Sequence, residues 1–145
     1  MDDTVIYSRL LEGMYPDYEK VIPSENDKIL RINCEEFISS IRRVSIFSNS
    51  VTQQIIVKLT RNRVELNSQD PDSGNKATDN IAANYEGGDL TTGYNAGYLL
   101  EMLRHVDTDE AILTFKEQNS GTLIFPSKQN EGEEILMLVM PIKLN

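Results

Sequence analysis

The chain has 145 residues, a single cysteine and a formal net charge of −9 from 23 acidic and 14 basic side chains. This length predicts one domain that buries a core without staples, and one cysteine excludes an intramolecular disulfide framework. A lone cysteine is typical of a reducing compartment, and no apolar stretch approaches the ~20 residues of a membrane span, so we expect a soluble cytoplasmic protein. The acidic balance argues against a surface that binds nucleic acid over its whole extent, although it is compatible with a basic patch on one face.

An extended segment precedes the main domain. β-Forming residues predict a strand over Thr4–Leu11. Gly13–Pro23 follows, and its two prolines favour an extended connector because proline restricts its own backbone and that of the residue before it. The tyrosines of this connector predict that it lies against protein. Since Ser24–Lys28 is polar and turn-like, we divide the chain into residues 1–23 and a C-terminal domain over residues 24–145.

The first half of that domain predicts a strand, a helix and three more strands. A short strand covers Ile29–Ile32, and Asn33 is placed to cap a helix that reaches about Ser48. The apolar face of this helix is formed by Phe37, Ile41 and Val44, which recur at helical spacing. Three strands are predicted to follow, over Thr52–Thr60, Arg63–Ser68 and Ala77–Tyr85.

The second half repeats this order of elements after Gly87-Gly88. A short strand covers Leu90–Thr92, and Asn95 caps a helix that reaches about His105. The buried stripe of this helix and the strands after it are predicted at Leu99, Met102, Leu103 and Val106, and at Ala111–Lys116, Gly121–Phe125 and Glu134–Met140. The repeat, with a period of about sixty residues, predicts an α+β fold in which a duplicated β-α-β-β-β unit packs two helices on one face of a curved antiparallel sheet.

The C-terminal segment Glu134–Asn145 is largely apolar. Such an end frays unless a sheet pairs its backbone and a neighbouring surface covers its side chains. Pro141 ends the strand because it cannot donate to a ladder, yet Ile142 and Leu144 beyond it are still apolar. The segment therefore fits either the wall of a binding groove, made adaptable by methionine, or a last core strand.

Three pieces of the sequence carry a family resemblance. They are LEGMYPDYEKVIP at Leu11–Pro23, GYNAGYL at Gly93–Leu99 and LVMPIKL at Leu138–Leu144. Together with the doubled unit, they resemble the bacterial DNA polymerase III beta subunit, or sliding clamp, family. The resemblance covers nearly the whole chain and matches the last of the three similar domains of a clamp, preceded by the final strand of the second domain. It implies that the chain is part of a longer protein and that the strand Thr4–Leu11 lacks its native sheet.

The resemblance implies a role in DNA replication. Two copies of a clamp protein associate head to tail into a homodimeric ring around double-stranded DNA, and helices line the channel. This placement implies channel-facing roles for Arg42, Arg43 and Arg104, whose alternative is ordinary solvated helix charge. Contacts of this kind bind phosphate without reading bases, so DNA binding is expected to be sequence-independent and salt-sensitive. The family contact between the two copies implies an interface at Ile46 and Phe47, whose alternative is core packing.

The resemblance also implies a partner site between the second and third clamp domains. There a short peptide with glutamine and Leu/Phe anchors, from the alpha subunit of DNA polymerase III, the clamp loader or another clamp-binding protein, enters a hydrophobic groove. The implied groove residues are Pro16, Lys20, Val21, Asn95, Tyr98, Thr122, Leu138, Val139, Met140, Pro141 and Ile142. Leu138, Val139 and Met140 would form an apolar floor, while Asn95 and the Tyr98 hydroxyl would supply polar handles. Lys20 stands where the family commonly has arginine, which weakens planar bidentate contacts.

Two other classes of function compete with this interpretation. An enzyme would need a partner for His105 or Cys34, and the sequence offers none nearby. The acidic run Asp107–Glu110 lacks the spacing of a calcium loop, so we expect no metal, no cofactor and no catalysis. The second alternative is a stand-alone β-rich interaction module that shares the fold without encircling DNA.

Overall fold

The computed structural model describes residues 5–10, 12–15 and 17–144. Two rounds of strand, helix and strands follow a 3-10 turn at Tyr18–Lys20. The first round is β1 (Lys28–Asn33), α1 (Cys34–Ser45), β2 (Gln54–Thr60), β3 (Arg63–Gln69), β4 (Lys76–Ala82) and β5 (Asn84–Glu86). The second round is β6 (Leu90–Asn95), α2 (Ala96–Leu103), β7 (Glu110–Phe115), β8 (Thr122–Pro126) and β9 (Met137–Val139).

Both helices begin at the asparagine that the sequence predicts. The Asn33 side chain accepts a hydrogen bond from the backbone N–H of Glu36 at 2.9 Å. The Asn95 side chain accepts one from the N–H of Tyr98 at 3.1 Å. Each bond satisfies one of the N–H groups that a helix start leaves without an intrahelical partner. The helices end earlier than predicted, at Ser45 and Leu103, because the following residues form turns.

The strands form two antiparallel sheets, one with the order β5-β1-β7-β8-β9 and the other with the order β4-β3-β2-β6. The first strand of each round pairs with a strand of the other round, since β1 pairs with β7 and β6 pairs with β2. This exchange ties the two rounds into one fold. The predicted α+β fold with a duplicated unit is confirmed, and its antiparallel strands divide between two sheets rather than forming a single one.

The two rounds also end in the same way. The predicted strand Ala77–Tyr85 is wrong as one element, because the chain breaks at Ala83: β4 joins the four-stranded sheet, and β5 pairs with β1 in the other sheet. In the second round Pro141 interrupts the chain, and beyond it Ile142 donates its N–H to the carbonyl of Gly93 in β6 at 2.7 Å. Each last strand thus turns at a break and continues onto the first strand of its own round.

The core lies between the helices and the sheets. It contains the predicted face of α1 and most of the predicted stripe of α2, while Met102 is only partly buried. The largest fully buried side chains are Tyr94, Phe37, Phe115, Leu30, Ile32, Ile41, Ile55, Leu59, Leu66, Ile81, Leu99 and Leu103. The packing of α2 against α1 and β9 places α2 beside the C-terminal segment.

The N-terminal segment differs from its prediction. Residues 5–10 are exposed and form no strand, because no strand of the described part pairs with them; Thr4 and Leu11, the ends of the predicted strand, lie outside the described residues. The expectation that the connector aromatics lie against protein is also wrong, since Tyr15 and Tyr18 are largely exposed. The division of the chain at residue 23 remains a prediction.

Candidate functional site

The C-terminal segment runs along β8 with a defined register. Thr122 faces Val139 and Leu123 faces Leu138 in this antiparallel pair. Alternation along β9 buries Val139, which is 3% exposed, and turns its neighbours Leu138 and Met140 to the other face, where Met140 is 58% exposed. We therefore restrict the name apolar floor to Leu138 and Met140, because Val139, which the sequence analysis included in it, is buried.

Gly121 lies against this apolar floor. A β-carbon on Gly121 would lie 2.8 Å from Leu138 Cδ1, 3.3 Å from Met140 Sδ and 3.7 Å from Pro23 Cδ. The missing side chain therefore lets the floor and the end of the connector approach the same backbone. Pro23, the last residue of the connector, therefore lies near the C-terminal segment at this position.

Thr122 and Val139 do not line this surface. Thr122 is buried, and its hydroxyl forms a 2.6 Å hydrogen bond with the hydroxyl of Tyr94 inside the core. Both belong to the predicted groove, Thr122 as a residue near its wall, and neither side chain is exposed in this chain, so their role in the groove remains a prediction. Gly121 and Leu123, which sequence reasoning missed, lie on the floor side, but both are buried and therefore support the floor rather than offer surface to a partner. Strand alternation was the available signal, but it needed the pairing register to choose between the two faces.

The connector arm, residues 17–23, approaches the floor at its end, where Pro23 Cδ lies 3.7 Å from the position that a β-carbon on Gly121 would take. Lys20 is exposed, and its Nζ is 2.9 Å from Asp17 Oδ2. Val21 is more than half exposed. Pro16, the other predicted groove residue of the connector, lies outside the described residues. The arm thus presents one basic and one apolar side chain, and part of the positive charge on Lys20 is balanced by its neighbour.

The start of α2 contributes the polar edge of the surface. Besides capping α2, Asn95 donates a hydrogen bond from Nδ2 to the carbonyl of Thr52 at 3.0 Å. Because this donor and the cap acceptor are both occupied, Asn95 is less available to a ligand than the sequence predicted. Tyr98 is 69% exposed, so its hydroxyl is the accessible polar handle at this end.

The chain beyond Pro141 borders an open groove. Pro141 and Ile142 are half-buried, and the side chain of Leu144 packs over Gly93. Beside Leu144, a groove of about 700 Å³ runs across the outer face of the four-stranded sheet, with Lys58, Ile56, Thr91, Thr52 and Lys143 among its lining residues. The carbonyl of Thr52 links this groove to the polar edge through Asn95.

Two of the three predicted channel arginines already have carboxylate partners. Arg43 Nη2 is 2.6 Å from Asp79 Oδ2 in β4, and Arg104 Nη1 is 3.2 Å from Glu101 Oε2. Arg42 is exposed and belongs to none of the ion pairs among the described residues. The hydrogen bond from Ser40, together with the Arg43 guanidinium, lowers the pKa of Asp79. The basic character of the helix surface therefore depends most on Arg42.

The end of α1 exposes two apolar side chains. Ile46 is 76% exposed and Phe47 is 41% exposed, so neither is a core residue. Next to them, a cleft of about 350 Å³ between α1 and the start of α2 is lined by residues that include Ile46, Gln53, Gly97 and Leu100. Exposed apolar residues at a helix end are typical of an interaction surface.

The groups considered for catalysis are poorly placed for it. Burial raises the pKa of the Cys34 thiol, which disfavours the reactive thiolate. His105 is exposed, and its nearest carboxylate oxygen, Glu101 Oε1, is 3.7 Å from Nε2. Within the described ranges, no three Asp, Glu, His or Cys side chains cluster in a way that could hold a metal ion. None of the helices described here is long and apolar enough to cross a membrane.

Comparisons with known proteins point to one family. The sequence matches the family described as DNA polymerase III beta subunit, C-terminal domain, over residues 19–143. The chain is 27% identical to the beta sliding clamp of Vibrio cholerae over 140 residues, which are 97% of this chain and 37% of that protein. It is 33% identical to the beta sliding clamp of Staphylococcus epidermidis over 138 residues, which are 94% of this chain and 36% of that protein.

Solved structures agree. A sliding clamp from Pseudomonas aeruginosa, crystallised with bound griselimycin, superposes with a TM-score of 0.87 at 27% identity, covering 94% of this chain and 36% of the other. A clamp from Bartonella birtlesii gives a TM-score of 0.85 at 32% identity, covering 94% of this chain and 38% of the other. The chain therefore spans little more than a third of the length of these relatives.

Proposed function

The chain belongs to the family formed by the C-terminal domain of the DNA polymerase III beta subunit, and on this premise we propose that it is the C-terminal part of a sliding clamp. In this role it is a non-catalytic processivity factor of cytoplasmic DNA replication. The whole clamp encircles double-stranded DNA and tethers the polymerase and other clamp-binding proteins through a peptide groove. The observation that carries the proposal is the apolar floor, which lies beside the connector arm on the shared support of Gly121.

The floor gives the groove its chemistry. Met140 is exposed and Leu138 is half-buried, so a partner that covers them gains apolar burial without unfolding the domain. Each large anchor side chain that is buried contributes roughly 1.5–3 kcal/mol before ordering costs. The Tyr98 hydroxyl and Lys20 offer hydrogen bonds to the polar parts of the same peptide. The P. aeruginosa relative was crystallised with bound griselimycin, which supports a ligand site in this fold.

The other two surfaces belong to the complete ring. We assign Ile46 and Phe47 to the contact with a second copy of the clamp, because both are exposed apolar side chains. We assign Arg42 the main phosphate contact of this domain, with Arg43 and Arg104 contributing less because carboxylates balance their charge. DNA retention then depends on the summed field of the whole ring and falls steeply as salt rises.

Peptide binding tests the proposal. A fluorescein-labelled peptide with Gln, Leu and Phe anchors is titrated into this chain and into the chain joined to the two preceding clamp domains. Met140→Ala and Tyr98→Ala are expected to weaken binding at least about fivefold, because each removes an exposed contact of the groove. The control is Tyr7→Ala, which removes a tyrosine of the N-terminal segment that is more exposed than Tyr98 and is not among the predicted groove residues.

Retention on DNA distinguishes a clamp from a stand-alone interaction module. A stand-alone interaction module would bind its peptide without topological retention on DNA. The extended chain is therefore also loaded on circular DNA and on the same DNA after linearisation. Retention on the circle and loss from the linear form supports a clamp, whereas equal retention on both, or failure of the extended chain to bind the peptide, contradicts the proposal.

A further inference from the structure

The side-chain amide of Asn26 bridges β7 and Gly121, the residue that precedes β8 and lies against the floor. Its Nδ2 donates to the carbonyl of Thr114 at 2.9 Å and to the carbonyl of Gly121 at 3.1 Å, and it lies 3.3 Å from Thr114 Oγ1. Both amide hydrogens therefore have carbonyl acceptors. Asn26 Oδ1, by contrast, is buried and has no partner within the described part of the chain. The hydrogen bonding of Asn26 therefore rests on its two donors, while its buried oxygen is left unpaired at a cost in free energy.

These bonds place Asn26 at the junction of the connector arm and the floor. Gly121, whose carbonyl accepts one of them, is the residue at which an added β-carbon would meet Leu138, Met140 and Pro23. Pro23 ends the connector arm and precedes Asn26 by three positions. One side-chain amide thus fixes both the backbone that supports the floor and the chain that leads to the arm.

Two lysines strengthen the same attachment. Lys116 Nζ is 2.6 Å from Glu25 Oε2, and Lys28 Nζ donates to the carbonyl of Lys116 at 2.6 Å. Residues 25–28 are therefore joined to the end of β7 on both sides of Asn26. The exposed ion pair is screened by solvent, whereas the hydrogen bonds of Asn26 are partly buried. The amide therefore fixes the position of this segment more strictly than the ion pair does.

We propose that Asn26 is a positioning residue of the peptide groove. Without touching a partner peptide, it holds the arm that carries Lys20 and Val21 at a fixed distance from Leu138 and Met140. Gly121 acts together with Asn26, because the absence of a side chain at residue 121 determines how closely Leu138 and Met140 approach its backbone. This inference rests on the proposed peptide-binding function and adds residues to it that the sequence resemblance did not supply.

Two substitutions test this positioning role. Asn26→Asp keeps the size of the side chain but replaces both donors with an oxygen that faces two carbonyls. Gly121→Ala adds one methyl group, and its backbone does not require a positive φ, so the domain is expected to fold with Leu138 and Met140 displaced. Asn80→Asp makes the same charge change at an exposed position. Gly88→Ala adds a methyl group in open space.

The measurements separate positioning from folding. Peptide affinity is measured by fluorescence anisotropy with the Gln, Leu and Phe peptide, thermal unfolding follows each variant, and the ¹³C methyl resonance of Met140 is recorded without peptide. Asn26→Asp and Gly121→Ala are each expected to weaken binding about tenfold, the factor that corresponds to one lost hydrogen bond or a misplaced anchor contact. Both variants are expected to shift the Met140 resonance. The two controls are expected neither to weaken peptide binding nor to shift this resonance.

The outcomes are distinct. If the unchanged chain binds the peptide and both variants bind equally well, with Met140 unmoved, the positioning role is refuted. The positioning role is also refuted if the variants lose affinity only in proportion to the fraction of protein that is unfolded, and if the Met140 resonance of the folded fraction does not shift. If the unchanged chain and its extended form do not bind, while Met140 moves in both variants, the peptide-binding function fails and the positioning of the floor by Asn26 and Gly121 stands.

Discussion

Alanine at Asn95 is expected to destabilise the fold about twice as much as alanine at Asn33. The two residues occupy the same place in the two rounds of the fold, and each caps its helix with one hydrogen bond from a backbone N–H. Asn95 alone makes a second bond, from Nδ2 to the carbonyl of Thr52 at 3.0 Å. Asn33 is therefore an internal control for the cap.

The expected magnitudes follow from these bonds. Loss of an asparagine N-cap costs about 1 kcal/mol, which is our expectation for Asn33→Ala. Loss of a further hydrogen bond costs about 1 kcal/mol, so Asn95→Ala is expected to cost about 2 kcal/mol. Asn95→Asp keeps the cap acceptor and loses the donor to Thr52, so its cost is expected to lie near 1 kcal/mol.

Urea unfolding followed by far-ultraviolet circular dichroism measures the three variants. The variants are compared by the urea concentrations at which half of the protein is unfolded. This comparison is valid if the unfolding free energy depends on urea with the same slope in all variants. Equal destabilisation by Asn95→Ala and Asn33→Ala would refute the reasoning, because it would mean that the Thr52 bond contributes nothing. A destabilisation by Asn95→Asp as large as that by Asn95→Ala would assign the whole effect to the donor and none to the cap.

Three further predictions concern the core and the helix surface. Tyr94→Phe is expected to cost about 1–3 kcal/mol because it leaves the buried Thr122 hydroxyl without its partner, and adding Thr122→Val should recover part of this loss in the same urea assay. Leu99→Ala, which truncates a fully buried side chain, is expected to cost about 2–5 kcal/mol by thermal or urea unfolding. Because the pKa of Asp79 is lowered by Ser40 and Arg43, this carboxylate stabilises the fold above the ordinary aspartate pKa near 3.9, and the contribution is lost as pH falls through the lowered value. Asp79→Asn should therefore reduce the acid dependence of stability between about pH 5 and pH 2, and an unchanged dependence would contradict this assignment.

Local sequence signals were sufficient for the helices. Asn33 and Asn95 were identified as caps from residue type and position alone, because capping involves residues only three positions apart. The buried faces of α1 and α2 followed from the spacing of apolar residues. The doubled order of elements followed from these signals, and the structure has it except that the predicted strand Ala77–Tyr85 is divided into β4 and β5.

Long-range pairing could not be predicted from local pattern. The break at Ala83 transfers the chain from one sheet to the other, and only the pairing of β5 with β1 reveals it. The orientation of Thr122 depends on its register with Val139, since a shift of one residue exchanges the two faces of a strand. Arg43 finds Asp79 across 36 positions in sequence, so its neutralisation was not visible in the helix alone.

The central claim is that a partner peptide lies over Leu138 and Met140, between the connector arm and Tyr98. Photo-cross-linking tests it most directly: the Leu anchor of the peptide is replaced by a benzophenone amino acid, the complex with the extended chain is irradiated, and the joined residue is identified by mass spectrometry. We predict cross-links at Met140 and at the arm around Val21, suppressed by an excess of unlabelled peptide. Cross-links confined to the groove beside Lys58 and Thr91, or to the exposed end of α1, would contradict the account.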